Sequence, residues 1–112
     1  DRPSHDLACI LSVVQPDGRA MALVCGYLRI PDSGVPGPRR VAMRAICSTI
    51  PAGAALRLSV QAAAVPAFAV NPGTGERPET AHTATALVTT LAVAHGPLTP
   101  SRLILSTSEI DA

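Results

Sequence analysis

The stretch that most limits what this chain can become is "LACILSVVQPDGRAMALVCGYLRI", residues 7–30. Two apolar, β-branched-rich runs flank a short polar break, which is the pattern of a hairpin. Within "QPDGRA", Pro16 presets the first turn position and Asp17 favours the second. Gly18 accepts the left-handed conformation that a type I turn with a G1 bulge needs. The loop is then Pro16-Asp17-Gly18, closed by the pair Gln15–Arg19. In a regular hairpin with this turn, paired residues have numbers adding to 34. Cys9 and Cys25 obey that rule and are expected to face each other at a hydrogen-bonded site. Cα atoms there lie ~5.5 Å apart but the side chains diverge. A disulfide fits by distance and is poorly aimed, so two small buried thiols are expected.

The same patterning continues downstream. "PDSGVPGPRR" (31–40) is a loop by composition, and "VAMRAICSTI" (41–50) reads as a strand with Val41, Met43, Ala45 and Cys47 on one face. "PAG" (51–53) makes a turn. "ALRLSVQA" (55–62) alternates most cleanly, with Leu56, Leu58, Val60 and Ala62 opposed to Arg57, Ser59 and Gln61. That is the mark of a half-solvated antiparallel strand. "TATALVTTLAVAH" (83–95) carries Leu87, Leu91 and Val93 among smaller residues. "SRLILST" (101–107) places Leu103 and Leu105 inward and Arg102 outward. No stretch combines a helix cap with an apolar stripe, although "GERPETAHTATAL" has room for one helical turn. Six strands with antiparallel connections predict an all-β sandwich.

Composition narrows the function. At 112 residues the chain suits one domain or part of one. It is 47% hydrophobic, but only Tyr27 and Phe68 are aromatic and much of the apolar content is alanine. Alanine buries little area, so at ~25 cal/mol per Å² the core is thin. A fragment, or a domain dependent on partner surface, is expected. A net charge of +1 with scattered arginines, Arg39–Arg40 being the only adjacent pair, gives no nucleic-acid face. No apolar run approaches a membrane span. No signal peptide opens the chain, and "DRPSHD" reads as mid-loop, so a cytoplasmic location is expected.

Catalytic signatures are missing. There is no GxSxG elbow, and His5, His82 and His95 are far apart in sequence. Ser4-His5-Asp6 cannot form a triad, because successive strand side chains point to opposite faces. A metal site from His5, Asp6, His82 and His95 would need convergence that the sequence does not supply. Asp17, Glu76 and Glu79 read as solvated or capping carboxylates. Gly73 and Gly75 in "NPGTGE" lack the strand, helix and Lys of a phosphate loop and read as turn formers. No catalytic, metal-binding or cofactor-binding residue is expected, and no cofactor.

The long Pro- and Gly-rich stretch "PAFAVNPGTGERPETAHT" (66–83) remains, far longer than a tight hairpin needs. Here a resemblance enters. "PDGRAMALVCGYLRI" resembles the hairpin of the C-terminal β-domain in bacterial cocaine esterase-like acyl hydrolases, relatives of Xaa-Pro dipeptidyl-peptidases and α-amino-acid ester hydrolases. Asp6 matches an aspartate of that family. "IPAGAALRLSV" resembles its "GHRLR" turn and strand, "VPAFAVNPGTGE" resembles "FPRYDRNPNTG", and "HGPLTPSRLILS" resembles "HGPEHPSHIVLP". The order and spacing hold across nearly the whole chain. Ala54 and Ala55 replace the His and Arg of the turn, Phe68 replaces a Tyr, and Ala69 and Val70 replace the Asp and Arg of the loop.

The resemblance implies a jelly-roll, galactose-binding-like sandwich appended to an α/β-hydrolase domain of the same polypeptide. That domain would be the partner and would carry the Ser-His-Asp triad, none of which maps here. The β-domain would shape its cleft or support homo-oligomer contacts. In the family, further strands precede the position of Asp1, so a sandwich incomplete on its N-terminal side is expected, completed by more polypeptide or by another copy. The stretch with Pro66, Phe68, Asn71, Gly73 and Gly75 becomes a structural or cleft loop. With the charged residues lost, its pinning is expected to be apolar, through Val65, Pro66 and Phe68. The alternatives are a free-standing carbohydrate- or protein-binding module, for which two aromatics are few, and a free-standing enzyme, for which no nucleophile–base pair is visible.

Overall fold

A computed structural model describes residues 2–65 and 67–108. The chain is all-β. Strands β1 (His5–Val14), β2 (Ala20–Ile30) and β3 (Ala55–Gln61) form one antiparallel sheet in the order β2-β1-β3. The sheet does not close on itself, so the architecture is one open layer of a sandwich. The hairpin turn forms as its residues dictate. The Gly18 amide donates to the Gln15 carbonyl at 2.9 Å, the Gln15 amide donates to the Arg19 carbonyl at 2.8 Å, and Gly18 has φ +87°.

β1 is the central strand and carries most of the core. Cys9, Leu11 and Val13 are buried on one face, and Asp6, Ala8 and Ser12 on the other. The first set lies opposite Val60, Leu58 and Leu56 of β3.

The β1–β2 register departs from the regular hairpin. From the turn to Ser12↔Ala22 the paired numbers add to 34, but beyond a bulge they add to 35: Leu11↔Val24, Ile10↔Cys25, Cys9↔Gly26. Leu23 is the extra residue on β2. A bulge of this kind leaves one residue unpaired and slips everything after it by one. The cysteine pairing expected from the sequence is therefore wrong. Cys9 is buried opposite Gly26, whereas Cys25 is exposed opposite Ile10, and all three cysteines are free thiols. Gly26 is also where residue 42 crowds in. A Cβ there would lie 2.6 Å from the Ala42 carbonyl oxygen, so only glycine admits the approach that lets Met43 bridge to Gly26.

The expected six strands reduce to three among the described residues. Residues 41–50 contribute only the isolated Met43 bridge, and 83–95 and 101–107 form no ladder. Along 41–50, Val41 and Met43 are half-buried, but Ala45 and Cys47 are exposed. Leu103 and Leu105, expected inward, are 38% and 44% exposed. β-propensity reports what suits a pleated, half-buried surface, and a ladder also needs a second strand beside it. The one helical turn that the sequence has room for is a 3-10 turn at Thr83–Thr85.

Deleting Leu23 removes the extra residue and leaves Leu11 opposite Val24 and Asp6 opposite Arg29, so the bulge goes while Tyr27 and Arg29 keep their face. The tyrosine band of near-UV circular dichroism should therefore be kept, since Tyr27 is the sole tyrosine. Loss of that band in a folded protein would refute the register.

Candidate functional site

The slipped register builds the most organised polar cluster in the chain. It sets Asp6 directly opposite Arg29, with Tyr27 two residues along on the same face of β2. Directly opposed and diagonal residues on one face are the pairs that can interact across a sheet. Arg29 grips the carboxylate with two prongs, Nε to Oδ1 and Nη2 to Oδ2, each at 3.0 Å. The Tyr27 hydroxyl donates to Oδ2 and in turn accepts from Arg29 Nη2 at 2.7 Å.

The fourth partner comes from the long loop. Asn71 Nδ2 donates to Asp6 Oδ1 at 2.9 Å. Asn71 Oδ1 accepts from Ser4 Oγ at 3.1 Å and from the Gly73 amide at 2.9 Å. The last contact is an Asx turn, and Gly73 completes it at φ +74°. The neighbouring Pro72 carbonyl accepts from the Leu87 amide at 2.8 Å, tying the segment after the loop to the same point. Phe68 stacks on Tyr27 with centroids 4.1 Å apart and planes 12° from parallel.

The loop is thus held by polar as well as aromatic contacts. The purely apolar pinning expected from the sequence is corrected: Val65 is 65% exposed, and Asn71 supplies the long-range bond. Pro66 lies outside the described residues. Gly75 has φ +88° and lines an open cavity of 340 Å³ with Ser4, Arg29, Asn71, Arg77 and Glu79.

Electrostatics fix the state of Asp6. Its side chain is 2% exposed. Burial alone would raise its pKa. The hydrogen bonds from Arg29, Asn71 and Tyr27 outweigh burial and hold the carboxyl below its ordinary value. Arg29 is pushed up by its hydrogen bonds to Asp6. Tyr27 is pushed up by burial and by its bond to Asp6, so it stays a neutral donor.

The geometry also decides what Asp6 can do. An ionised carboxylate offers about four acceptor positions. Oδ1 takes Arg29 Nε and Asn71 Nδ2, and Oδ2 takes Tyr27 and Arg29 Nη2, so none is left for a metal or a transferable proton. His5 Nδ1 lies 2.5 Å from Ser33 Oγ, but Asp6 is committed elsewhere and does not orient that imidazole. Glu79 pairs with Arg77 at 3.3 Å and Asp17 with Arg19 at 2.7 Å, both at the surface. Among the described residues, no three His, Cys, Asp or Glu gather as a metal site.

Reading the sequence singled out Asp6, Phe68, Asn71, Gly73 and Gly75 but missed Ser4, Tyr27 and Arg29. A signal for two of them was present. Tyr27 and Arg29 are spaced by two in an otherwise apolar strand, which puts both polar tips on one face.

Fold and site together define a class: an open antiparallel β-domain whose best-ordered polar cluster is saturated and joins a loop to a sheet. Residues 1–104 match the family described as the X-Pro dipeptidyl-peptidase C-terminal non-catalytic domain, and the chain belongs to that family. No curated protein and no solved structure gives a match.

Asp6→Asn should cost about 1–3 kcal/mol at neutral pH, because an amide cannot accept from all four donors. The wild-type advantage has a defined pH window. Since the folded carboxyl titrates below its unfolded value of ~3.9, its stabilisation is fully present above that value. It is lost as pH falls through the lower, folded value. Urea midpoints of the two proteins should therefore converge in acid, and a gap that stays constant from pH 7 to strong acid would refute the assignment.

Proposed function

We propose that this chain is the C-terminal β-domain, jelly-roll and galactose-binding-like, of a bacterial serine acyl hydrolase or peptidase akin to cocaine esterase and the Xaa-Pro dipeptidyl-peptidases. Its partner is the α/β-hydrolase domain of the same polypeptide, which performs the ester or amide hydrolysis. The β-domain packs on that catalytic domain, and the loop that carries Phe68, Asn71, Gly73 and Gly75 is the surface that it offers to the cleft. The free thiols fit a reducing compartment, and the reading goes with a cytoplasmic location. No helix among the described residues is long and apolar enough to cross a membrane.

The observation that carries this reading is the saturated Asp6 cluster. A domain that spends its buried charge on fastening a long loop to a sheet is built to present that loop. Phe68 and Asn71 fix its approach to the sheet, and Gly73 and Gly75 make the turns that follow. Carbohydrate recognition fits less well, since the only two aromatic rings stack on each other instead of forming a platform for a sugar.

The chain alone should release no p-nitroaniline from an Xaa-Pro p-nitroanilide and no product from an aryl ester. It should bind the separately produced α/β-hydrolase domain of its own polypeptide in calorimetry. Asn71→Ala, which unfastens the loop, should weaken that binding by about tenfold, or 1.4 kcal/mol. Turnover by the chain alone, or no binding at all, would sink the reading.

A further inference from the structure

Residues 2–5 lead into β1 and hold, on two sides, parts of the chain that are distant in sequence. On one side, Arg2 Nε donates to the Val88 carbonyl at 2.7 Å and Ser4 Oγ donates to Asn71 Oδ1 at 3.1 Å. The next side chain of the same alternation is Asp6, which accepts from Asn71 Nδ2 at 2.9 Å. On the other side, the Pro3 carbonyl accepts from the Ser33 amide at 2.9 Å, and His5 Nδ1 lies 2.5 Å from Ser33 Oγ. The even-numbered side chains thus grip residues 71–88, while Pro3 and His5 grip Ser33. Successive side chains part in this way along an extended segment. Ser4 is buried, so its bond is shielded from water.

The two parts held in this way are otherwise separate. The bends of the turn that carries Ser33 are local: the Gly34 amide donates to Asp32 Oδ1 at 3.0 Å, and Arg39 donates to the Val35 carbonyl. The far loop also closes on itself. The Leu87 amide donates to the Pro72 carbonyl, and the hydroxyls of Thr74, Thr80 and Thr85 donate to Glu76, Arg77 and His82, all within three positions. Among the described residues, no hydrogen bond joins 31–35 directly to 68–88. Pro31 and residues 75–79 instead line the same open cavity. The bonds that tie turn and loop together run through residues 2–6.

We infer that residues 2–5 act as a strap that makes the turn at 31–34 and the loop at 71–88 one cooperative unit. Each of these bonds immobilises the same short piece of backbone, so the entropy of ordering it is lost once and shared by all. Releasing Asn71 or Val88 frees Ser4 or Arg2, and with them the Pro3 carbonyl that holds Ser33. Releasing Ser33 loosens Ser4 in turn. Proteins open locally in contiguous units of this kind. The strap, fastened or released, is the two-state element that both places bias. The coupling is reciprocal: a partner that grips the Ser33 turn tightens the Asn71 loop, and one that grips the loop tightens the turn by the same factor. The surface formed by Phe68, Asn71, Gly73 and Gly75 is thereby tuned from a second place, across the strap.

Amide hydrogen exchange of the full chain, read residue by residue by NMR, tests the inference. The Ser33 and Leu87 amides report on the turn and the loop, and the Gly18 amide reports on the hairpin turn, which the strap does not touch. Asn71→Ala should speed exchange at Ser33 about fivefold, the scale of one lost hydrogen bond. Ser33→Ala removes the hydroxyl, keeps the amide and should speed exchange at Leu87 by a similar factor. Gly18 should be unchanged in both. Exchange at Ser33 should not respond to low urea, because a local opening exposes little surface. Arg2→Ala serves if Asn71→Ala fails to fold, since Arg2 lies outside the Asp6 cluster; it should also speed exchange at Ser33, and Arg2→Lys, which keeps a donor, should do so less. An unchanged Ser33 amide in the folded variants, an unchanged Leu87 amide in Ser33→Ala, equal acceleration at Gly18, or urea dependence as steep as that of global unfolding would each overturn the strap.

Discussion

One extra residue in β2 determines where nearly every important side chain goes. Because side chains alternate with a period of two, a one-residue slip exchanges the faces of everything beyond it. With Leu23 bulged out, Asp6 meets Arg29, Tyr27 shares its face, and Gly26 falls beneath residue 42. Without the bulge, the carboxylate of Asp6 would be buried against Leu28, while the guanidinium and phenol sat on the opposite face. A buried, unpaired carboxylate is among the costliest features a small domain can carry. With Leu23 in the chain, the cluster therefore requires the bulge.

This matters because the apolar core is small. The buried hydrophobic residues among those described are Ala8, Cys9, Leu11, Val13 and Ile30. Two of the five are short side chains that bury little area. Order in the long loop cannot come from such a core. It comes from a carboxylate that receives hydrogen bonds from both β2 and the loop, and from Phe68 stacked on Tyr27. Charge-assisted bonds of this kind are short and directional, so they specify geometry where apolar contact is scarce. The same saturation keeps Asp6 out of chemistry. A group that fastens four donors has nothing left to offer a substrate.

The hairpin was legible in the sequence because its information is local: Pro16, Asp17 and Gly18 suit one turn and few others. The bulge was not, since "AMALVCG" is apolar at nearly every position and a slip by one leaves the hydrophobic pattern almost unaltered. That is why the Cys9–Cys25 pairing looked sound and failed. Residues 41–50, 83–95 and 101–107 misled for a related reason. Their composition suits strands, yet a ladder depends on what lies alongside, which local patterning does not encode. At Asn71 the sequence disclosed half. "NPG" marks an Asx turn, but nothing near it announces that the amide end of the same side chain reaches Asp6, 65 residues earlier.

The cluster and the open edge are complementary consequences of one arrangement. On the Asp6 face, buried polarity is fully paired within the chain and needs no other surface. On the Leu58 face, β1 is buried, but the β3 side chains beside it remain about 40% exposed, and their backbone groups point away from the sheet. The first face is specific but adds little apolar burial; the second has apolar area to bury and lacks a covering layer. A domain with a thin core gains stability most readily where such area can still be removed from water. The β3 side chains beside the buried face of β1, and not the saturated loop anchor, are where this fold still has apolar area to remove from water.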